Sequence, residues 1–150
     1  MTSLKKFINL SLADKILILY AGLILSLVVL GLRALGVRRT QLMLGSLFRY
    51  VDMKDEKKAE SVRRCSSLLD IASRRAPFVI NCLERSLALW LLLRRQGIDC
   101  QIRLGARRSI GSFEAHAWVE SDGIVVNDSE FAINQYTPFD CSLDYLSADH

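Results

Sequence analysis

Apolar residues in the first two thirds of the chain recur every three to four positions, which is the period of a helix with a buried face. This period predicts four helices, over about residues 11–35, 40–51, 52–75 and 83–96. Ser11 or Asp14 begins the first helix, Gly36 ends it, and Asp52 or Asp55 caps the third. Pro77 ends the third helix, because proline disfavours helical backbone in the residue before it.

The period then shortens to the alternation that is typical of strands. It predicts three strands, over residues 98–106, 113–120 and 124–128. A turn over 107–112 separates the first two, and the tail after Ser129 is irregular, with room for one short strand or helical turn. Helices followed by an antiparallel sheet indicate an α+β fold, which we divide into a helical region, 1–76, and a core, 77–150.

Residues 16–32 form a charge-free run of 17 residues, close to the shortest helix that spans a bilayer. Basic residues lie on both sides, so no orientation is indicated, and no small-residue cleavage site follows. Three interpretations stay open at this point. The segment is a buried or partner-binding helix, a membrane-associated helix, or a true span.

Composition narrows the possible functions. The net charge of +4 comes with arginine doublets that are spread along the chain, which disfavours nucleic-acid binding. No phosphate-binding loop occurs, so no nucleotide cofactor is expected. The four cysteines form no C-x-x-C pair, so we expect neither a metal nor a disulfide framework. Free thiols indicate a cytoplasmic protein, peripheral at the inner face of the membrane if residues 16–32 bind lipid.

Cys82 lies where a polar, proline-broken stretch meets the fourth predicted helix, with Asn81 as the expected N-cap. Free N–H groups and the positive end of the dipole favour a thiolate in a first helical turn. A thiolate is the form that acts as nucleophile. Cys82 is therefore the candidate nucleophile, whereas Cys65, Cys100 and Cys141 are expected to be structural.

His116 is the candidate base, and Asp128 the candidate group that orients it. A three-residue turn over 121–123 would pair Glu120 with Ile124 and place His116 opposite Asp128, about 5 Å apart at Cβ. A two-residue turn would shift the register by one, and Asn127 would then lie diagonal to His116. The sequence leaves the choice between Asp128 and Asn127 open.

Four further residues are candidates for contact with substrate. Glu84 and Arg85 lie on the helix of Cys82, and Glu114 and Trp118 lie on the strand of His116. Each has a structural alternative, which is local ion pairing for Glu84 and Arg85, solvation for Glu114 and core packing for Trp118.

Four blocks together carry a family resemblance: residues 81–89 (NCLERSLAL), 92–98 (LLRRQGI), 115–120 (AHAWVE) and 126–128 (VND). They resemble the leader peptidase of lasso-peptide biosynthesis, a transglutaminase-like cysteine protease of bacterial biosynthetic clusters. The resemblance implies a papain-like core, in which a nucleophile helix packs on a small antiparallel sheet. Carried over by position, Cys82 is the nucleophile, His116 the general base and acid, and Asp128 the orienting residue.

The resemblance also implies a substrate and partners. The substrate is a ribosomally made precursor peptide, cut between leader and core before an ATP-dependent cyclase closes the macrolactam. The chain resembles the split form of the family, in which a separate recognition-element protein binds the leader. The helical region 1–76 is then expected to dock substrate or partners.

Two other functions stay open from the sequence. The same three residues would serve another transglutaminase-like acyl transferase, whose acceptor is an amine rather than water. A non-catalytic, membrane-associated binding protein would carry an unreactive Cys82.

Overall fold

The first helix is broken where a glycine leaves the helical region of backbone space. A computed structural model describes residues 12–47, 58–109 and 111–142, and it begins with α1, Leu12–Leu47. Gly36 inside α1 has φ 77° and ψ 174°, a backbone conformation that residues with a Cβ rarely adopt. The predicted break at Gly36 is confirmed. The predicted start at Ser11 and the predicted helical residues 48–51 lie outside the described residues.

The chain folds back on itself at this break. A Cβ built on Gly31 would lie 2.7 Å from the methyl carbon of Thr40, whereas residues nine apart on a straight helix are separated by about 13.5 Å. The side chain of Thr40 is fully buried against the earlier part of α1. Gly31 therefore makes room for the returning segment.

Helix α2, Lys58–Arg75, has one apolar face, as its sequence period predicts. That face is buried and consists of Val62, Cys65, Leu68, Leu69 and Ala72. Glu60 lies in its first turn and Arg74 and Arg75 in its last, which suits the helix dipole. The predicted caps Asp52 and Asp55 lie outside the described residues.

Helix α3, Cys82–Arg95, is the centre of the core. Every residue from Ser86 to Leu93 is buried, because α1, α2 and the sheet surround this helix. Apart from Ser86, this run is apolar on every side, which is typical of a helix enclosed by a core. Gly97 follows with φ 73°, which confirms the predicted left-handed end of the helix.

A four-stranded antiparallel sheet completes the fold. The chain continues through β1 (Gln101–Ser109), β2 (Ser112–Ser121), β3 (Ile124–Val125), the short helix α4 (Glu130–Ile133) and β4 (Thr137–Ser142). The strand order is β3-β2-β1-β4. Helices packed with one small antiparallel sheet confirm the predicted α+β fold.

Two predicted boundaries in the sheet are wrong. The turn predicted over residues 107–112 is shorter than expected, because β1 continues to Ser109 and Ser109 pairs with Ser112 of β2. A cross-strand ion pair between Arg107 and Glu114 extends the hairpin. The third strand ends at Val125 rather than at residue 128. The tail contains a short helix and a strand; residues 143–150 and the side chain of Cys141 lie outside what the structure describes.

Helix α1 is long and apolar enough to cross a membrane by length and composition. Of its most apolar 18-residue window, 39% is buried inside the protein. These properties fit a membrane anchor and also fit a core helix.

Candidate active site

The start of α3 is fixed by a reciprocal cap. Asn81 Oδ1 accepts from the backbone N–H of Glu84, and Glu84 Oε2 accepts from the N–H of Asn81, each at 2.9 Å. This capping box confirms the predicted N-cap and makes Cys82 the first helical residue. The thiol of Cys82 is half-buried. The N–H groups of Cys82 and Leu83 take no part in the box and lie in the first turn, where a developing negative charge is best stabilised.

Two of the candidate substrate-binding residues have structural partners. Glu84 is 4% exposed, and its carboxylate is engaged in the cap. Arg85 forms an ion pair with Asp70, which ties α3 to α2. These contacts favour the structural alternative for both residues; their contact with substrate stays a prediction.

His116 pairs with Asp128 through a short hydrogen bond. Nε2 of His116 lies 2.7 Å from Oδ2 of Asp128, while Oδ1 of the same carboxylate accepts from the N–H of Ser129 at 2.8 Å. With Nε2 donating to Asp128, Nδ1 of the neutral imidazole is the nitrogen that carries the lone pair. Nδ1 is therefore the atom available to take a proton from a thiol.

The hairpin that leads to Asp128 has the shorter of the two turns that the sequence left open. Asp122 and Gly123 have φ 51° and 76°, and Glu120 pairs with Val125 rather than with Ile124. The three-residue turn is therefore wrong. The shifted register continues by one backbone hydrogen bond, from the N–H of Val126 to the carbonyl of Val119 at 3.0 Å, and it ends where the backbone bends over residues 126–128. Through this bend Asp128, not Asn127, meets the imidazole.

Asn127 instead joins the helix of Cys82 to the strand of His116. Its Oδ1 accepts from the N–H of Val119 at 2.8 Å, and its Nδ2 donates to Oγ of Ser86 at 3.0 Å. Ser86 Oγ in turn donates to the carbonyl of Ala117 at 3.0 Å.

We call these three hydrogen bonds the Ser86–Asn127 clamp. Ser86 lies four residues after Cys82, on the same face of α3, and Ala117 follows His116 in β2. The clamp thus holds the beginning of α3 beside the strand that carries the imidazole. Sequence analysis missed its positioning role, because it considered Asn127 only as an alternative to Asp128.

Aromatic rings surround the imidazole of His116. The ring of Tyr136 is stacked with it at a centroid distance of 5.0 Å, and that of Trp118 lies 6.3 Å away. Trp118 is 1% exposed and donates from Nε1 to Glu120 at 2.7 Å, so it supports the site from the core. The structure thus places Trp118 near His116, as the sequence indicated. Tyr136 carried no signal in the sequence.

Glu114, the last candidate for substrate contact, is paired with Arg107. A carboxylate oxygen of Glu114 lies 2.7 Å from the guanidinium, and this contact raises the pKa of Arg107 above its ordinary value. The guanidinium also lies over the ring of Tyr136, 4.9 Å from its centroid. Glu114 is therefore part of a surface chain of contacts that reaches the imidazole through Tyr136.

A cleft of about 360 Å³ opens beside these rings. Trp118, Tyr136, Ile133 and Pro138 supply apolar walls, and Glu120 and Glu130 supply carboxylates. A larger pocket of about 620 Å³, between the beginning of α2 and the β2–β3 turn, is lined by none of Cys82, His116 and Asp128. The smaller cleft is not lined by these three residues either, but two of its walls, Trp118 and Tyr136, are the rings that flank the imidazole of His116.

The other cysteines differ from Cys82. Cys65 and Cys100 are buried, and burial raises the pKa of the Cys65 thiol. Within residues 12–47, 58–109 and 111–142, no group of three or more His, Cys, Asp or Glu side chains is arranged to hold a metal ion. Cys82 begins the helix that the Ser86–Asn127 clamp joins to the strand of His116, and a thiol and a histidine on joined elements are the groups that nucleophilic catalysis with a histidine proton carrier uses.

Comparison with known proteins agrees with this chemistry. A family model described as "Transglutaminase-like superfamily" matches residues 25–140, which is more than half of the chain. The match covers most of α1, all of α2 and α3, and the sheet as far as residue 140 in β4. No curated protein and no solved structure gave a significant match. Transglutaminase-like proteins are typically cysteine proteases or acyltransferases.

Proposed function

The chain belongs to the transglutaminase-like superfamily, and from that premise we propose that it is a cysteine peptidase that removes the leader from a lasso-peptide precursor. The observation that carries the proposal is the hydrogen bond of His116 to Asp128 on a strand clamped to the helix that begins at Cys82. The motif blocks at residues 82–87 and 115–120, with their resemblance to the leader peptidases, supply the substrate class.

In the proposed reaction the thiol of Cys82 gives its proton to Nδ1 of His116, and the thiolate attacks the scissile carbonyl. The N–H groups of the first turn of α3 stabilise the oxyanion. His116 then protonates the departing amine of the core peptide, which leaves the leader as a thioester. Water, deprotonated by His116, attacks the thioester and releases the leader acid and the free thiol.

Asp128 has a positioning and electrostatic role in this scheme. Its carboxylate fixes which imidazole nitrogen carries the proton and stabilises the imidazolium that forms after proton transfer. The hydrogen bond from Ser129 holds that carboxylate in place. Asp128 is therefore expected to contribute less than Cys82, because the members of such a triad contribute unequally.

The proposal includes partners. A separate recognition-element protein presents the leader, and the freed core amine passes to an ATP-dependent cyclase. The helical region 1–76 is the part of the chain that we assign to docking.

A cleavage assay tests the proposal. The protein is incubated with a lasso precursor peptide and the leader-binding recognition protein, and the products are identified by mass spectrometry. We expect a leader acid and a free core peptide from the wild type, and neither from Cys82→Ala at unchanged helix content. Cys65→Ala is the matched thiol deletion and should retain cleavage. Full turnover by Cys82→Ala would refute the proposal.

The same assay separates hydrolysis from acyl transfer. With an added primary amine, a peptidase yields mainly the leader acid, whereas an acyltransferase yields mainly the leader amide. Amide as the dominant product would retain the Cys82 chemistry and reject the peptidase assignment.

A further inference from the structure

One side of the first part of α1, residues 12–30, is apolar and exposed. Five side chains there are between 57% and 76% exposed: Leu12, Ile16, Leu19, Leu23 and Leu30. Their spacing of three, four or seven residues puts them, with Leu27, on one helical face about 27 Å long. We call this face the α1 stripe. A contiguous exposed face of this kind marks an interaction site rather than ordinary surface.

The opposite face of α1 excludes a span across a bilayer while the fold is intact. Ala21, Ile24, Leu25 and Val28 are at most 2% exposed and belong to the same core as α2 and α3. Helix α2 presents charged residues on its outer side, so it cannot enter the hydrocarbon beside α1. The stripe can meet an apolar phase only from the side, with the rest of the protein in water.

The helices α1 and α2 carry a net positive charge, which an anionic membrane surface attracts. Residues 12–47 and 58–75 carry nine Lys and Arg against three Asp and Glu, a net charge of +6. Residues 82–142, which hold the candidate active site, carry six against eight, a net charge of −2. Arg33 and Arg39 are exposed just beyond the end of the stripe. The apolar and the basic surfaces therefore belong to the same helices.

The side chains of the stripe favour lipid over a protein partner. They are all leucine or isoleucine, whereas protein interfaces depend on aromatic, arginine and directional polar contacts. Ser26 adds no such contact, because its hydroxyl donates to the carbonyl of Gly22 in the same helix. Hydrocarbon requires no directional partner.

We propose that the α1 stripe lies in the interface of an anionic phospholipid membrane and holds the protein there peripherally. The leucine and isoleucine side chains of the stripe insert into the lipid, and the basic residues of α1 and α2 are attracted to the anionic headgroups. Stable peripheral binding needs two such contributions together. The assignment is independent of the proposed peptidase activity, since it concerns a face that lacks Cys82, His116 and Asp128.

Vesicle co-sedimentation of the full-length protein tests this proposal. The probe is vesicles of phosphatidylcholine with 30% phosphatidylglycerol, compared with vesicles of phosphatidylcholine alone. We expect binding to the anionic vesicles, reversed by alkaline carbonate and weakened by salt. Leu19→Gln with Leu23→Gln should abolish it, and Arg33→Glu with Arg39→Glu should weaken it by roughly fivefold for each basic residue lost.

Phe113→Gln is the matched control, because it removes an exposed apolar side chain, 72% accessible, from the sheet. It should bind vesicles like the wild type, and circular dichroism should be the same for all variants. Equal binding by the Leu19/Leu23 variant would overturn the proposal. Vesicle binding that resists alkaline carbonate would also overturn the proposal, because it indicates a membrane span. A dimer that depends on the stripe, without vesicle binding, would overturn it as well, because the face would then bind a second copy of the chain.

Discussion

Removal of the Asn127 side chain should uncouple the helix of Cys82 from the strand of His116. Asn127→Ala deletes two hydrogen bonds of the Ser86–Asn127 clamp and leaves the N–H of Val119 unpaired in a part-buried place. Each hydrogen bond contributes about 1 kcal/mol, and an unpaired buried group costs about 1–3 kcal/mol. We expect a loss of about 3 kcal/mol, which for this chain length lowers Tm by about 10 °C.

Loss of the clamp should also lower the reactivity of Cys82. Displacement of a reacting group by about 1 Å can cost up to about 100-fold in rate. We therefore expect Cys82 in Asn127→Ala to react with iodoacetamide at least roughly tenfold more slowly than in the wild type. Asn134→Ala is the matched control, since that asparagine is exposed, and it should change stability by less than about 0.5 kcal/mol.

A double-mutant cycle with Ser86→Ala isolates the shared contact. The two single variants each break the hydrogen bond from Asn127 Nδ2 to Ser86 Oγ, so the double variant should lose about 1 kcal/mol less than their sum. Urea denaturation gives the three free energies. Strict additivity, together with wild-type labelling of Cys82 in Asn127→Ala, would refute the coupling that we assign to the clamp.

Two further predictions concern the fold and the triad. Gly31→Ala should destabilise the protein by about 1–3 kcal/mol, because the new Cβ would lie 2.7 Å from the methyl carbon of Thr40. Gly22→Ala, which has open space around it, should stabilise the protein by up to about 1 kcal/mol. Urea denaturation measures both changes, and the reverse order of stability would contradict the fold-back at Gly36. Asp128→Asn should keep the fold but slow precursor cleavage by orders of magnitude, up to roughly 10⁴-fold, because an amide NH₂ that donates to Nε2 of His116 leaves the proton on Nδ1, which is the wrong tautomer. Unchanged cleavage would remove Asp128 from the mechanism.

The sequence predicted the features that depend on neighbouring residues. The capping box of α3 joins Asn81 to Glu84, three residues on, so the helix start and the position of Cys82 could be derived locally. Gly36 and Gly97 could be derived in the same way, because a positive φ favours glycine wherever it occurs.

Features that depend on tertiary packing could not be derived. Asp128 reaches His116 through a bend after Val125, not through the strand register that suggested the pairing. Tyr136 lies just before β4 and contacts the imidazole of His116 because β4 pairs with β1. No local sequence pattern predicts this pairing of strands. The division into a docking region, 1–76, and a catalytic core, 77–150, stays a prediction. A single hydrophobic core contains residues from both sides of this boundary.

Selective labelling of the thiols tests the central claim most directly. The protein is treated with limiting iodoacetamide at about pH 6, and the alkylated cysteines are mapped in the wild type and in His116→Ala. The account predicts that Cys82 is labelled first, ahead of the buried Cys65 and Cys100, and that His116→Ala slows its labelling by roughly tenfold or more. Labelling of Cys82 that is no faster than that of Cys65 and Cys100, or that is indifferent to His116, would contradict an activated Cys82–His116 pair.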